Sequence, residues 1–487
     1  MQILLINPPI RETYPPYIHP IGLMSVATML QNAGHAIQIF DINAARYTKE
    51  EVLANLPNRK YDWIGLSGLI TTYAYLKWLT PELREMYKDT PIVIGGGGIT
   101  SAPEAYMENI GPDVGVIGEG EYTALELSEG RLYKDILGIA YFEDGKLIKT
   151  PPRPLEKDLD KFPMVNFDLI DIWPYAKTVK HNKGAPNELA INATRGCPMA
   201  CKFCYHIFGR GVRYRSVDKF VEEMEYLITN YGITSFLIQD ECFTARKSFV
   251  KEFCERVIEK GWRIGWACYS RLDTLDEETM RIMRRAGCYQ IGFGIESGSQ
   301  RILDAMSKKI TVEKMKKTYL LATRHFPCIA GTLIYGYPGE NDETLAETLA
   351  FLEEIQHVAS FFFIQPYPGT PLYEEYYDKI MEQSGGEDAF FCSLTDACDP
   401  GVNLTEWTME EYLQRHMEIT KATHKILHKI ADGFKKISIV YPAHRERQLA
   451  EAVVGVFGRN PTGALHMAMI KKEELTEGEI VRVRPPR

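Results

Sequence analysis

Apolar residues fall along the first 120 positions in short runs separated by longer amphipathic stretches. Residues 2–6, 35–41, 63–67, 92–94 and 114–117 have the length and composition of buried strands. Between the first two, residues 21–33 place Leu23, Val26, Ala27 and Leu30 on one helical face. This alternation predicts a parallel sheet covered by helices, a doubly wound, Rossmann-like α/β domain over residues 1–150. Residues 139–150 alternate around Asp144-Gly145, a strong hairpin signal. Pro151-Pro152-Arg153-Pro154 then opens an irregular segment, read as a linker over 151–184.

From residue 189 the alternation resumes six times, with strands expected at 189–193, 235–239, 263–268, 289–295, 330–335 and 361–365. The helix at 218–230 carries Phe220, Val221, Met224, Leu227 and Ile228 on one face, behind a Ser216 cap. The next, at 248–260, carries Phe249, Val250, Phe253, Val257 and Ile258 and stops at Gly261. Six units are fewer than the eight of a closed barrel, so residues 185–375 predict an open, partial (β/α)6 barrel. Residues 376–487 contain Ser384-Gly385-Gly386, a long helical stretch near 409–430 and a short mixed tail. They are expected to form a mainly helical C-terminal domain that shapes substrate choice.

The 487 residues suffice for two or three domains, and 45% hydrophobic with 25% charged residues is ordinary for a globular chain. A net charge of -9 disfavours dedicated nucleic-acid binding, with basic clusters only near 210–215 and 314–317. No Lys or Arg precedes the first apolar run, prolines stop it, and no stretch of spanning length follows. Neither a signal peptide nor a membrane span is expected, and the chain reads as cytoplasmic.

Of ten cysteines none precedes Cys197, and three lie within eight residues: Cys197-Pro-Met-Ala-Cys201-Lys-Phe-Cys204. Thr194-Arg195-Gly196 makes the turn out of the first barrel strand, so this loop sits at a strand's carboxyl end, where barrel active sites are built. Three thiolates suit an iron–sulfur cluster that leaves one iron open. A structural zinc with His206 as fourth ligand is the alternative. In the first domain, Gly95-Gly96-Gly97-Gly98 and Gly118-Glu119-Gly120-Glu121 follow strands. They read either as tight turns or as places where a ligand approaches the backbone. Cys242, Cys254, Cys268, Cys288 and Cys328 sit in apolar patterns as buried thiols. Cys392 and Cys398, with His416, His424 and His428, are a weak second metal-site candidate.

C-x3-C-x2-C with an aromatic residue, Phe203, before the last cysteine resembles the signature of the radical S-adenosylmethionine (SAM) enzymes. The likeness continues through Asp240-Glu241, through Gly294-Ile295-Glu296-Ser297-Gly298, through the segment from Gly331 to Glu340, and through Tyr367-Pro368-Gly369-Thr370-Pro371. It implies a 4Fe-4S cluster on Cys197, Cys201 and Cys204. It also implies SAM contacts from Phe203, Tyr205, Gln239, Asp240 and Glu241, and from Arg271, Glu296, Ser297 and Leu333 further along. From the residues alone, Arg271 reads equally as an ordinary salt bridge, and Asp240 and Glu241 read also as caps of a turn. Tyr335, Tyr337 and Tyr367 are candidates to pass a proton or hydrogen atom, with packing as the plainer role.

Asn7-Pro8-Pro9, His19-Pro20-Ile21-Gly22-Leu23, the Gly95 run and Gly118 to Glu121 are similar to the cobalamin half of the B12-dependent radical SAM class. That class carries the two domains in this order, and the two resemblances together cover roughly residues 1 to 375. The resemblance implies cobalamin contacts from Asn7, Pro8, His19 and Gly22, from Ser67, Leu69, Ile70 and Thr71, and from Gly95, Gly96 and Gly97. Gly118, Glu119, Gly120 and Glu121 complete the set. The Asp-x-His-x-x-Gly motif of many B12 proteins is missing, and Ser67-Gly68-Leu69-Ile70-Thr71-Thr72 stands in its loop. This implies cobalt with no protein imidazole beneath it.

The implied activity is methylation of an unactivated carbon. A 5′-deoxyadenosyl radical removes a hydrogen, methylcobalamin supplies the methyl group, and a second SAM remethylates cobalt. The substrate is expected to be a small molecule or a peptide or protein residue, such as a glutamine of methyl-coenzyme M reductase. A low-potential ferredoxin or flavodoxin would donate electrons under anaerobic conditions. A tetrapyrrole-type oxidative cyclase and a zinc- or B12-binding regulator are the competing functions. Transfer of a methylthio group to tRNA would need a second cluster on N-terminal cysteines, and none precede Cys197.

Overall fold

β1 (Gln2–Asn7) and β3 (Trp63–Ser67) are short because each is an apolar run ended by polar or turn-forming residues. With β2 (Ala36–Asp41), β4 (Ile92–Gly95) and β5 (Val114–Val116) they form the parallel part of a seven-stranded sheet. β6 (Ile139–Glu143) and β7 (Lys146–Lys149) extend it antiparallel, in the order β2-β1-β3-β4-β5-β6-β7. Asp144 and Gly145 both have positive φ, as a two-residue hairpin turn requires. Strand alternation covers both faces. Ile3 and Leu5 pack with Leu23, Ala27 and Leu30 of the helix Ile21–Asn32, while Leu4 and Ile6 pack with Leu76, Leu79 and Leu83 of the helix Tyr73–Met86. The strand order reverses at β1 and β3, which opens a crevice beyond their carboxyl ends.

The second sheet is built from β8 (Leu189–Ile191), β11 (Ser235–Ile238), β12 (Gly265–Ser270), β13 (Cys288–Glu296), β14 (Cys328–Tyr335) and β15 (Ser360–Phe363). All its pairings are parallel, in the order β15-β14-β13-β12-β11-β8, so it is an open barrel whose two edge strands do not meet. Between β8 and β11, the short β9 (Thr194–Arg195) and β10 (Arg213–Tyr214) pair antiparallel. The outer face buries Phe236, Ile238 and Trp266 against Phe220, Met224 and Phe253 of the flanking helices. The first of these helices starts where expected, with Ser216 Oγ accepting from Lys219 N. The inner face is lined by Ala190, Leu237 and Ala267, and Tyr17, Ile18 and Ile21 from the first domain pack onto it.

The computed structural model describes residues 1–11, 15–178, 181–182, 184–357, 359–395, 397, 399–435, 440–441 and 481–482. The stretch after Pro154 is not a free spacer, because Phe167, Ile172 and Tyr175 enter the barrel core. Nor do the helices after residue 371 stand apart. Phe390 and Phe391 join the core of the first sheet, Lys77 Nζ pairs with Asp388 at 2.6 Å, and Tyr412 of the helix Met409–Lys435 packs on Tyr335. Cys242, Cys254, Cys268 and Cys288 are buried, whereas Cys328 is partly exposed. Among the described residues no helix is long and apolar enough to cross a membrane.

Candidate active site

The three clustered cysteines lie on one loop closed at its neck. Arg195 pairs with Arg213 across β9 and β10, Cys197 bridges to Arg210, and Gly211 N donates to Cys197 O at 3.2 Å. Gly196 has φ +92, and a Cβ on it would lie 2.3 Å from the Gly211 carbonyl oxygen, so only glycine fits. Cys201 is buried, and Cys197 and Cys204 are half-buried. Arg271 Nη1 lies 3.7 Å from Cys201 Sγ, which places a cation beside the thiol group. Among the described residues no three His, Cys, Asp or Glu side chains converge on a single metal ion. A zinc ion bonded at about 2.3 Å needs its sulfurs within roughly 4 Å of one another. Three cysteines on one closed loop beside a cation match in donor chemistry the three-thiolate set of a negatively charged iron–sulfur cluster.

Asp240 ties down this loop with one oxygen and keeps the other, Oδ2, buried without a partner in the protein. Its Oδ1 accepts from Ala193 N at 2.9 Å and Thr194 N at 3.1 Å, so it fixes the turn leading into the cysteines. Burial pushes its carboxyl up to about 6, against those hydrogen bonds. Glu241 beside it is exposed, and Gln239, on the inner face with Leu237, has a buried Oε1 without a partner in the protein. Arg271 forks onto Asp273 at 2.9 and 2.8 Å and donates to Lys308 O at 2.7 Å. The buried Lys308 Nζ donates to Glu296 Oε1 at 2.9 Å, and Glu296 itself holds φ 65. Lys308 carried no signal in the sequence, since its partner lies outside any helical or strand spacing. Tyr205 packs against Gly369, and Phe203 against the core of the first sheet.

Five of the expected site residues take other roles. Leu333 is fully buried in the outer core, on the opposite face of β14 from the lumen. Ser297 is buried and spends its Oγ on Thr348 Oγ1 and Ser299 N. Tyr335 also points outward, and its hydroxyl donates to Tyr412 O at 2.6 Å. Tyr337 and Tyr367 donate to the Ala305 and Thr395 carbonyl oxygens at 3.3 and 3.0 Å. Each of the three tyrosine hydroxyls is held by main chain, which suits packing better than transfer of a hydrogen. His416 packs on Phe363 with ring centres 4.2 Å apart, and Cys392 is exposed. Cys398 and the side chains of His424 and His428 lie outside the described residues.

A cavity of about 400 Å³ lies between the first sheet and the cysteine loop. Asn7, Pro8, Gly22, Ser67 and Leu69 line it, as do Gly95, Gly96 and Gly97 and the run Gly118, Glu119, Gly120 and Glu121. A Cβ on Gly22 or Gly118 would meet nothing within 4 Å, so both glycines front open space. Gly96 (φ +99) is required by the close approach of the Gly68 carbonyl oxygen, 2.6 Å from where a Cβ would stand. Leu69 is 45% exposed and presents an apolar group to the cavity. These open glycine fronts and apolar walls fit a large planar cofactor such as cobalamin. His19, Ile70 and Thr71 are not in the lining. His19 is buried between Phe167 and Tyr175, and burial pushes its imidazole down to about 4. Ile70 belongs to the core, and Thr71 Oγ1 is buried.

The far wall has no signal in the sequence. It comes from Leu159, Phe162 and Pro163 of the intervening segment and from Thr194, Arg195, Ile207 and Phe208 of the cysteine loop. Prolines made that segment look like a spacer, and its few apolar residues have no periodicity to betray a packed role.

A Radical SAM superfamily model matches residues 191–352 and a B12 binding domain model matches residues 8–128. The chain is 31% identical over 386 residues to an uncharacterised methyltransferase of Pyrococcus horikoshii, covering 77% of this chain and 83% of that protein. It is 30% identical over 378 residues to an anaerobic magnesium-protoporphyrin IX monomethyl ester cyclase of Rubrivivax gelatinosus, covering 74% of this chain and 67% of that one. The radical SAM methyltransferase TsrM of Kitasatospora setae, solved with cobalamin and a 4Fe-4S cluster, shares the fold. Its TM-score is 0.64 at 20% identity, covering 78% of this chain and 75% of that one.

Proposed function

The chain belongs to the B12-dependent radical SAM enzyme family, and from that premise we propose that it methylates an unactivated carbon of its substrate. The observation that carries the reading is the shared wall. Arg195, Ile207 and Phe208 border the glycine-lined cavity and belong to the same loop as Cys197, Cys201 and Cys204. A methyl carrier in the cavity would therefore sit next to a SAM molecule held at the cluster. When bound, cluster, SAM and cobalamin together supply reductive SAM cleavage and a transferable methyl group.

The chain's own residues hold and screen. Cys197, Cys201 and Cys204 would ligate the cluster, with Arg271 offsetting its negative charge from beside Cys201. Glu241, Gln239 and Glu296 offer acceptors near that loop for amino and hydroxyl groups of SAM, and Lys308 Nζ holds the Glu296 carboxyl in place through its 2.9 Å hydrogen bond. Ala190, Leu237 and Ala267, covered by Tyr17, Ile18 and Ile21, keep the lower lumen apolar and closed to water. A small molecule or an exposed peptide or protein residue is the proposed substrate, and a low-potential ferredoxin or flavodoxin the electron donor, in a reducing cytoplasmic setting.

The similarity to an anaerobic cyclase keeps oxidative cyclisation as the second reading. One experiment separates them. Anaerobically reconstituted enzyme is given methyl-labelled SAM and candidate substrates. Label in a product carbon supports methyl transfer. Cleaved SAM with a product two hydrogens lighter and no label supports the cyclase and overturns the methylation reading.

A further inference from the structure

The cobalamin-side loop and the neck of the cysteine loop are joined by four charged side chains. Glu119 Oε1 accepts from Arg195 Nη1 at 2.8 Å and from Arg213 Nη2 at 2.9 Å, and its Oε2 accepts from Arg213 Nη1 at 2.9 Å. Glu121 Oε1 accepts from Arg195 Nη2 at 2.6 Å and from Ser25 Oγ at 2.8 Å. The carboxylates are 7% and 4% exposed and the guanidinium groups 18% and 13%, so the cluster is nearly dry. The Arg195 guanidinium also lies 4.7 Å from the Phe162 ring centre and 5.4 Å from that of Phe208. Two acids balance two bases. Burial raises the Glu119 carboxyl, but hydrogen bonds from Arg213 and Arg195 and their charges outweigh it and hold it below the usual range.

We propose that Glu119 is a positioning residue that registers the cobalamin loop against the neck of the cysteine loop, so that filling one cofactor site tightens the other. The inference rests on the cofactor assignment above. Its physical basis is directional. A carboxylate held by the Arg213 fork and by one arm of Arg195, whose other arm holds Glu121, restricts how these side chains can be arranged, and pulling one away leaves a buried charge uncompensated. Both ends of the link are short. On one side Glu119 lies between Gly118 and Gly120, which form the cavity wall. On the other, Arg195 is two residues from Cys197, with Gly196 clamped against Gly211 between them. Arg213 closes the loop from its far end and also donates to Glu156 O at 2.7 Å. Ordering of the cysteines around a cluster therefore fixes both arginines, and the arginines fix the loop that cobalamin touches. Linkage makes the effect reciprocal.

The test measures hydroxocobalamin affinity by anaerobic absorbance titration, on cluster-reconstituted protein and on protein stripped of iron by a chelator. Wild-type protein is expected to bind about tenfold more tightly with the cluster than without it. In Glu119→Gln the two dissociation constants are expected to become equal, with reconstituted iron content unchanged. Arg213→Lys keeps the charge but loses the fork, and it should give an intermediate ratio, so a poorly folding Glu119→Gln does not decide the matter alone. Equal constants in wild type, or a wild-type ratio in both variants, would overturn the coupling. Absence of any hydroxocobalamin binding by the wild type would instead overturn the cofactor assignment itself.

Discussion

The hydroxyl of Tyr175 lies 2.9 Å from each carboxylate oxygen of Asp41. Asn7 Nδ2 donates to the same carboxylate at 2.8 Å, so three distant parts of the chain meet at the end of β2. Asp41 and Tyr175 are both largely buried, and the bond from a neutral hydroxyl to a carboxylate is of the stronger kind. Tyr175→Phe is expected to destabilise the cofactor-free protein by about 2 kcal/mol. Urea denaturation followed by circular dichroism measures it. An unchanged midpoint would mean that the 151–184 segment is not held by this contact.

Tyr335 gives a prediction opposite to the one its sequence position suggests. It ends β14 within a stretch resembling a cofactor-contacting segment, yet its ring packs on Tyr412 with centres 4.9 Å apart and its hydroxyl is committed to Tyr412 O. Tyr335→Phe should leave SAM cleavage within about twofold of wild type while costing roughly 1 kcal/mol of stability from one lost neutral hydrogen bond. Measuring 5′-deoxyadenosine release alongside urea unfolding checks both halves. A large fall in cleavage without loss of stability would return the tyrosine to the chemistry.

The contrast between Tyr335 and Cys197 shows what the residue order discloses. Cys197, Cys201 and Cys204 are legible because their spacing is itself the chemistry. β3 and the helix behind Ser216 are legible because run length, capping and turn residues are local. The side of β14 on which Tyr335 or Leu333 falls is not legible. β14 reads Cys-Ile-Ala-Gly-Thr-Leu-Ile-Tyr, and its partly buried inner positions Ala330 and Ile334 are as apolar as the buried outer positions Ile329 and Leu333, so alternation does not mark inside and outside. Glu119 stands out in the sequence for its neighbouring glycines, but its partners Arg195 and Arg213 lie 76 and 94 residues away and no local pattern points to them. Motif position points His19 and Thr71 at the cavity, but it does not say which way a side chain faces, and neither lines the cavity.

Glu340 sets a pH dependence. Its carboxyl is 4% exposed, accepts from Gly336 N at 2.7 Å, and is pushed up to about 8 by burial against that bond. The unfolded chain releases this proton near the ordinary value of about 4.5, so between there and about 8 the native state holds more protons than the unfolded state. Stability from this group is therefore greatest at low pH and falls as pH rises through that window. Glu340→Gln removes the titration while keeping an acceptor for Gly336. Relative to wild type, the variant should be indistinguishable at pH 4.5 and more stable by a few kcal/mol at pH 8. Urea midpoints of cofactor-free protein at the two pH values test this. A difference that does not change with pH would show that the carboxyl is not held neutral.

Gly22 offers a substitution whose two effects have opposite signs. It lies in the first turn of the helix Ile21–Asn32, fronts the cavity, and a Cβ there would meet nothing within 4 Å. Glycine in a helix is less favourable than an aliphatic side chain by up to about 0.8 kcal/mol, because it gives up more backbone freedom. Gly22→Leu should therefore leave the cofactor-free protein as stable as wild type or more so. The same side chain would occupy space facing the proposed cofactor, and hydroxocobalamin affinity should fall at least tenfold, equivalent to about 1.4 kcal/mol. Thermal unfolding without cofactor and absorbance titration with it measure the two separately. A stabilised variant that still bound hydroxocobalamin as wild type does would mean that the cavity beside Gly22 is not where the corrinoid rests.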